Sequence, residues 1–156
     1  MRIIEVRRDN GRRQEADIAA FERALDIRLP PAYRSLLLAH DAPRLPCADF
    51  GFVDSATGAS TSRDCAFFGF GPALPRSNRI VDAQDSDGRG HDHVIVFGDC
   101  ANGDKVCFDY RRDPATDEPA IAVMVHDDPD RDGKLLLSPV ADSFDAFLDL
   151  LPRATP

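Results

Sequence analysis

Two aspartate-rich runs hold the residue types with which a protein binds a cation or meets a positively charged partner. The first, residues 82–93 (DAQDSDGRGHDH), carries Asp85, Asp87 and Asp92 together with His91 and His93. Carboxylate oxygens suit calcium or magnesium, and imidazole nitrogens suit zinc. His91 and His93 would share one face of a strand beginning there, but no third ligand follows at the spacing of a zinc-protease helix. The second run, residues 126–134, sets Asp128, Asp130, Asp132 and Gly133 at the first, third, fifth and sixth positions of a calcium loop. Its twelfth position is Pro139 where a bidentate Glu should close the cage, and no helical pattern precedes it, so an EF-hand is excluded. Both runs read as solvated acidic loops, and no metal or cofactor is assigned.

Other reactive groups are scattered. Cys47, Cys65, Cys100 and Cys107 make no CxxC pair and read as reduced, partly buried thiols. Gly69-Phe70-Gly71 lacks the third glycine and helix start of a dinucleotide fingerprint, and its glycines are read as allowing a bend or a close backbone approach. Nucleophile elbow, Walker loop, zinc-protease signature and SxxK are all missing, so no catalytic residues are assigned and an enzyme is not expected.

Charge is distributed unevenly along the 156 residues. Residues 1–46 carry seven acids and nine bases, whereas residues 82–132 carry fourteen acids and five bases, a net −9 against −8 for the whole chain. Such a surface disfavours nucleic acid and anionic membranes as partners and favours a basic one. No run approaches the roughly 18 apolar residues of a membrane span, and the N-terminal order, an apolar triplet before basic residues, reverses that of a signal peptide. A cytoplasmic protein is the expectation.

These residues need elements to hold them. The central one is residues 94–110, VIVFGDCANGDKVCFDY, read as a β-hairpin turning at Asn102-Gly103. With a two-residue loop, Cys100 would face Lys105 and Cys107 would face Gly98, out of register for a bridge. Val94 to Phe97 is apolar on both faces, which places the hairpin in mid-sheet. Before it, Arg2 to Arg8 reads as an extended arm turning at Asp9-Asn10-Gly11, and an amphipathic helix follows from an Asp17 cap to about Asp26. Pro30-Pro31 opens a second helix that ends at His40, placed to cap its C-terminus. Residues 54–64 read as an exposed loop, and 65–70, 120–126 and 135–137 as strands. A last helix begins at a Ser143 cap, with Phe144, Phe147, Leu148 and Leu151 as its apolar stripe. The order predicts one α+β domain over 1–156: a largely antiparallel sheet of about five strands packed with N-terminal and C-terminal helices.

The run IAAFERALDIRLPPAYRSLLLAHDA, Ile18 to Ala42, resembles the opening signature of the SUKH superfamily, in which a helix bearing a Glu ends in a Gly-or-Asp, hydrophobic, Leu-Pro step before a second helix. Gly98-Asp99 through Asp109-Tyr110 resembles that family's central hairpin, and Ser143 to Leu148 its closing helix. Asp41-Ala42-Pro43 stands where Asn-Gly-Gly is usual, and Leu45 to Arg63 reads as inserted or diverged. The resemblance implies the SUKH fold and, for bacterial members, immunity proteins that neutralise polymorphic or contact-dependent toxins. Many such toxins are nucleases or deaminases with basic clefts, which an acidic surface would occlude. Asp85, Asp87, Asp92, Asp104, Asp127, Asp128, Asp130 and Asp132 are the residues expected to form that partner-binding face. The alternative reading is an intracellular scaffold or regulatory protein-binding domain of the same superfamily.

Overall fold

Tyr33 is fully buried among aromatic rings from three parts of the chain, with centroids 5.0 Å from Phe108, 5.4 Å from Phe144 and 5.7 Å from Phe97. That cluster joins a helix pair, a central hairpin and a closing helix into one core. The computed structural model describes residues 4–84 and 89–152.

The helix pair is α1 (Glu15–Leu25) and α2 (Pro31–Ala39). Asp17 lies in the first turn of α1 rather than at its cap. Gln14 holds the cap position, and its N–H donates to the Asp17 carboxylate at 3.3 Å. Chain reversal occurs at Asp26, which adopts φ 52° in the left-handed region that Gly, Asn and Asp tolerate best. Glu22 accepts from the Leu29 N–H at 2.8 Å and from Arg34 Nε at 3.1 Å, tying the end of α1 to the start of α2. The signature Glu and the Gly-or-Asp step are thus both conformational devices. His40 stands at the C-cap of α2, but only its backbone N–H serves the helix, donating to the Leu36 carbonyl at 2.8 Å; its ring pairs with Asp9 at 2.5 Å instead of acting on the helix end.

Arg2 and Ile3 of the N-terminal arm lie outside the described residues, and Arg8 bridges Arg44. Nearby in the chain, Asp41 is fully buried. Its carboxylate accepts from the amides of Phe70 at 2.7 Å and Gly71 at 3.0 Å and from Asn10 Nδ2 at 3.1 Å. A Cβ on Gly69 would lie 2.6 Å from Asp41 Oδ1, and one on Gly71 would lie 2.8 Å from Oδ2, so the two glycines give the close approach anticipated for them.

Among the described residues, seven strands follow in two antiparallel sheets. β1 (Asp49–Val53) pairs with β2 (Ser60–Asp64), and β3 (Ala66–Phe67), β4 (Val94–Asp99), β5 (Lys105–Asp109), β6 (Ala120–Pro129) and β7 (Leu135–Ala141) form a five-stranded sheet in chain order. The loop expected over 54–64 is therefore only a turn, and its second half is a strand. Ser and Thr suit an exposed, two-stranded ribbon whose polar pattern carries little burial signal. The strand expected over 65–70 shrinks to two residues, because Phe70 and Gly71 turn their amides to Asp41. β6 runs past its expected end to Pro129, which still pairs with Leu135, and β7 runs past its expected end to Ala141, which pairs with Ile121.

The central hairpin sits inside the sheet, flanked by β3 and β6. Its loop is longer than two residues: Asp99 pairs with Lys105, Cys100 and Asp104 bond at 2.8 Å, and the Gly103 N–H donates to the Cys100 carbonyl at 3.0 Å. Gly103 has φ 98°, so this is a three-residue loop ending in a left-handed glycine. A bulge between Val96 and Gly98 then sets Cys107 opposite Val96 and Gly98 opposite Val106. Cys100 faces Asp104, not Lys105, and Cys107 does not face Gly98.

Phe97 and Phe108 stack at 4.1 Å beneath α2 and α3 (Phe144–Leu150), and Ser143 caps α3 by accepting from the Ala146 N–H at 3.1 Å. Beyond the short β3, the side-chain amide of Gln84 continues the ladder, receiving the Val96 N–H at 3.0 Å and donating to the Val96 carbonyl at 2.8 Å. At the other edge of the sheet, β7 contains Pro139, and the Ser138 hydroxyl receives the Ser55 N–H at 3.0 Å. No helix of the described residues is long and apolar enough to cross a membrane.

Candidate binding surface

The two acidic segments are tied to each other. The Leu135 N–H donates to the Arg89 carbonyl at 2.8 Å, His91 Nε2 bonds the Leu135 carbonyl at 2.6 Å, and Arg89 reaches the His126 carbonyl at 3.3 Å. Residues 89–91 consequently lie against the β6–β7 hairpin, while the His93 carbonyl already accepts from the Tyr110 N–H at the end of β5. Asp127, Asp128 and Asp132 of the hairpin are exposed, as is Asp92, the residue after His91. Asp130 is half-buried and organises the turn, its Oδ1 accepting from the amides of Asp132 at 2.9 Å and Lys134 at 3.0 Å. That geometry spends the lone pairs which a calcium loop would direct at an ion. Asp85 and Asp87 lie outside the described residues.

Asp104 does not belong to this exposed set. It is 1% exposed, and its carboxylate is enclosed by donors: the His126 N–H at 3.1 Å, His126 Nδ1 at 2.6 Å, Arg63 Nε at 3.0 Å and Asn102 Nδ2 at 3.1 Å. Burial alone would push its carboxyl up, but the hydrogen bonds from His126, Asn102 and Arg63 together hold it below the usual carboxylate range. The assignment of Asp104 to the partner face is therefore corrected. It is an internal ionic hub that fixes the hairpin turn to β2 and β6, and Arg63 is itself held over the Phe52 ring at 5.6 Å.

Sequence reasoning missed Arg63, Asn102 and His126 as the partners of Asp104. Only Asn102 was within local reach, as a turn residue two positions away; Arg63 and His126 are brought in by strand pairing. It also missed that Arg89 and Arg131 stand in or beside the acidic end, both exposed. The end is thus acidic with interspersed cations rather than uniformly negative. His91 and His93 do not share a strand face, because β4 begins at Val94, His91 is engaged by Leu135 and His93 turns through φ 62°. Among the described residues, no three His, Cys, Asp or Glu side chains gather in a way that could hold a metal.

Three of the four thiols are shielded in the folded protein. Cys65, Cys100 and Cys107 are buried, and burial pushes all three up, Cys100 to about 12, so they are protonated at neutral pH. A separate open groove of about 790 Å³ runs between the 111–119 loop and β7, over Ala122, Leu137 and Pro139. Its lining carries the acids Asp109, Asp113, Glu118 and Asp142 with the bases Arg111 and Arg112, and Arg111 is already paired with Asp109 at 2.9 Å.

These features define an α+β domain with helices against an antiparallel sheet and an acidic end made by two neighbouring loops. The SMI1 / KNR4 family (SUKH-1) model matches residues 14–150, and the chain belongs to that family. No curated protein and no solved structure matches it.

Proposed function

We propose that this SUKH-1 domain is an immunity protein, a non-catalytic binder that neutralises a cognate bacterial toxin by covering a basic active-site cleft. Support comes from the family's association with toxin immunity and from the charge of residues 82–132. The observation that carries the reading is the pairing of Arg89 and His91 with Leu135, which ties the segment preceding Asp92 to the β6–β7 hairpin that exposes Asp127, Asp128 and Asp132. Clustered carboxylates speed encounter with a positive cleft and can then occupy it. Arg89 and Arg131 supply the opposite sign at fixed points, which would discriminate a cognate cleft from any merely basic surface.

The test has two parts. The protein should be captured with a basic toxin domain from lysate of its source organism, and co-expression with that domain should restore growth; failure to protect would reject the immunity reading. Reversing Asp92, Asp127, Asp128 and Asp132 together to Lys should slow association at low salt by about tenfold or more and flatten its salt dependence. The melting temperature should hold, because these side chains are exposed. Unchanged kinetics at low salt would remove the acidic end from the interface.

A further inference from the structure

The register of β3 against β4 brings two buried cysteines opposite each other. Ala66 pairs with Asp99 and Phe67 with Gly98, so the next antiparallel step sets Cys65 against Cys100. The Cys65 amide donates to the Ala48 carbonyl at 3.1 Å and the Cys100 amide to the Asp104 carbonyl at 2.8 Å, so neither points at the other residue. That is the arrangement of a non-hydrogen-bonded pair, whose Cα atoms stand about 4.5 Å apart with their side chains on one face. A disulfide requires Cα separations of roughly 4.4–6.8 Å. Space for the sulfurs comes from Gly98: a Cβ there would lie 2.8 Å from Cys65 Sγ. Neither remaining cysteine competes, since Cys107 lies opposite Val96 and Cys47 sits half-buried beside Asp49.

We infer that Cys65 and Cys100 are a latent cross-strand disulfide, closed by exchange with a small disulfide such as oxidised glutathione. One cysteine thiolate attacks a glutathione sulfur, forming a mixed disulfide and releasing one glutathione. The second cysteine thiolate then attacks its partner's sulfur and releases the other. Two protein thiols are oxidised, one glutathione disulfide is reduced to two thiols, and both protons pass to the released glutathiones. Burial leaves little thiolate in the folded protein, so exchange is slow there and proceeds when the chain opens or refolds. The closed bond would span the part of the chain with least regular structure, between β3 and β4, where the described elements are two short 3₁₀ turns. By restricting the unfolded chain it should raise the melting temperature by roughly 10 °C.

The experiment uses the full chain with Cys47→Ser, which removes the half-buried thiol. The protein is unfolded in urea and refolded in a glutathione buffer poised oxidising, so access to the core does not limit the reaction. Titration of thiols after denaturation should show one free thiol of three in the refolded monomer. Peptide mapping should join Cys65 to Cys100, and reductant should return the melting temperature to its starting value. Adding Cys107→Ser should leave the bond in place. Three free thiols in the refolded monomer, or a bond through Cys107, would overturn the inference.

Discussion

Replacing Asp104 by Ala separates a structural from a recognition role for this residue. The substitution removes the acceptor of Arg63 Nε, of the Asn102 amide and of both the backbone N–H and ring nitrogen of His126, while Arg63 Nη1 keeps the Thr61 hydroxyl and the Ser62 carbonyl. A hydrogen bond to a charged group is worth about 1.5–3 kcal/mol, and a neutral donor left without a partner costs about 1–3 kcal/mol. The Arg63 and His126 side chains are 21% and 45% exposed, so both regain some water. Taking the lower figures gives a loss of about 3 kcal/mol, or roughly 6–12 °C in a domain of this size. Urea unfolding at pH 7 should show that loss at an unchanged m-value. The pH dependence has a defined sign. A carboxyl held below its unfolded pKa of about 3.9 contributes fully above that value and loses its contribution as pH falls through the lower folded one. The gap between wild type and D104A should therefore persist from pH 7 to about pH 5 and close only below pH 4. A loss under about 1 kcal/mol, the worth of an exposed ion pair, would refute the hub and return Asp104 to the surface.

Three further substitutions test the frame. Gly69→Ala puts a Cβ 2.6 Å from Asp41 Oδ1 and 2.9 Å from Ala42 Cβ, and should cost roughly 2–3 kcal/mol in urea unfolding. Ser143→Ala removes the acceptor for the Ala146 N–H and should cost about 1 kcal/mol, leaving the rest of the fold intact by circular dichroism. Tyr33→Phe keeps the ring cluster and deletes a buried hydroxyl that has no hydrogen-bond partner among the described residues. Thermal unfolding should show Y33F as stable as the wild type or slightly more so, and a loss above about 1 kcal/mol would mean that the hydroxyl is bonded after all.

What the sequence revealed was whatever is encoded locally. Helical spacing, the Pro30-Pro31 start and the Ser143 cap gave all three helices within a few residues. The apolar run at Val94 to Phe97 gave the interior position of the hairpin. Errors arose where pairing decides. Asn102-Gly103 is compatible with more than one hairpin loop, and the choice of the longer one follows from Asp104, whose side chain is drawn inward by residues 22 and 41 positions away. Ser60 to Asp64 has no apolar alternation, so only its partner Asp49 to Val53 reveals it as a strand. The candidate face was partly legible because charge is visible in a sequence, but burial is not, and Asp104 shows the difference.

The Gln84 amide at Val96 has a consequence for how the domain can be read by another protein. A strand ending early, as β3 does, normally offers its neighbour's free N–H and C=O groups to any extended segment that comes by. Here a side chain already occupies them. On the far edge, Pro139 withholds a donor and the Ser55–Ser138 bond anchors the β1–β2 loop across the strand. Both edges of the five-stranded sheet are therefore closed to main-chain zippering, so its surface side chains can diversify while the sheet beneath them stays the same.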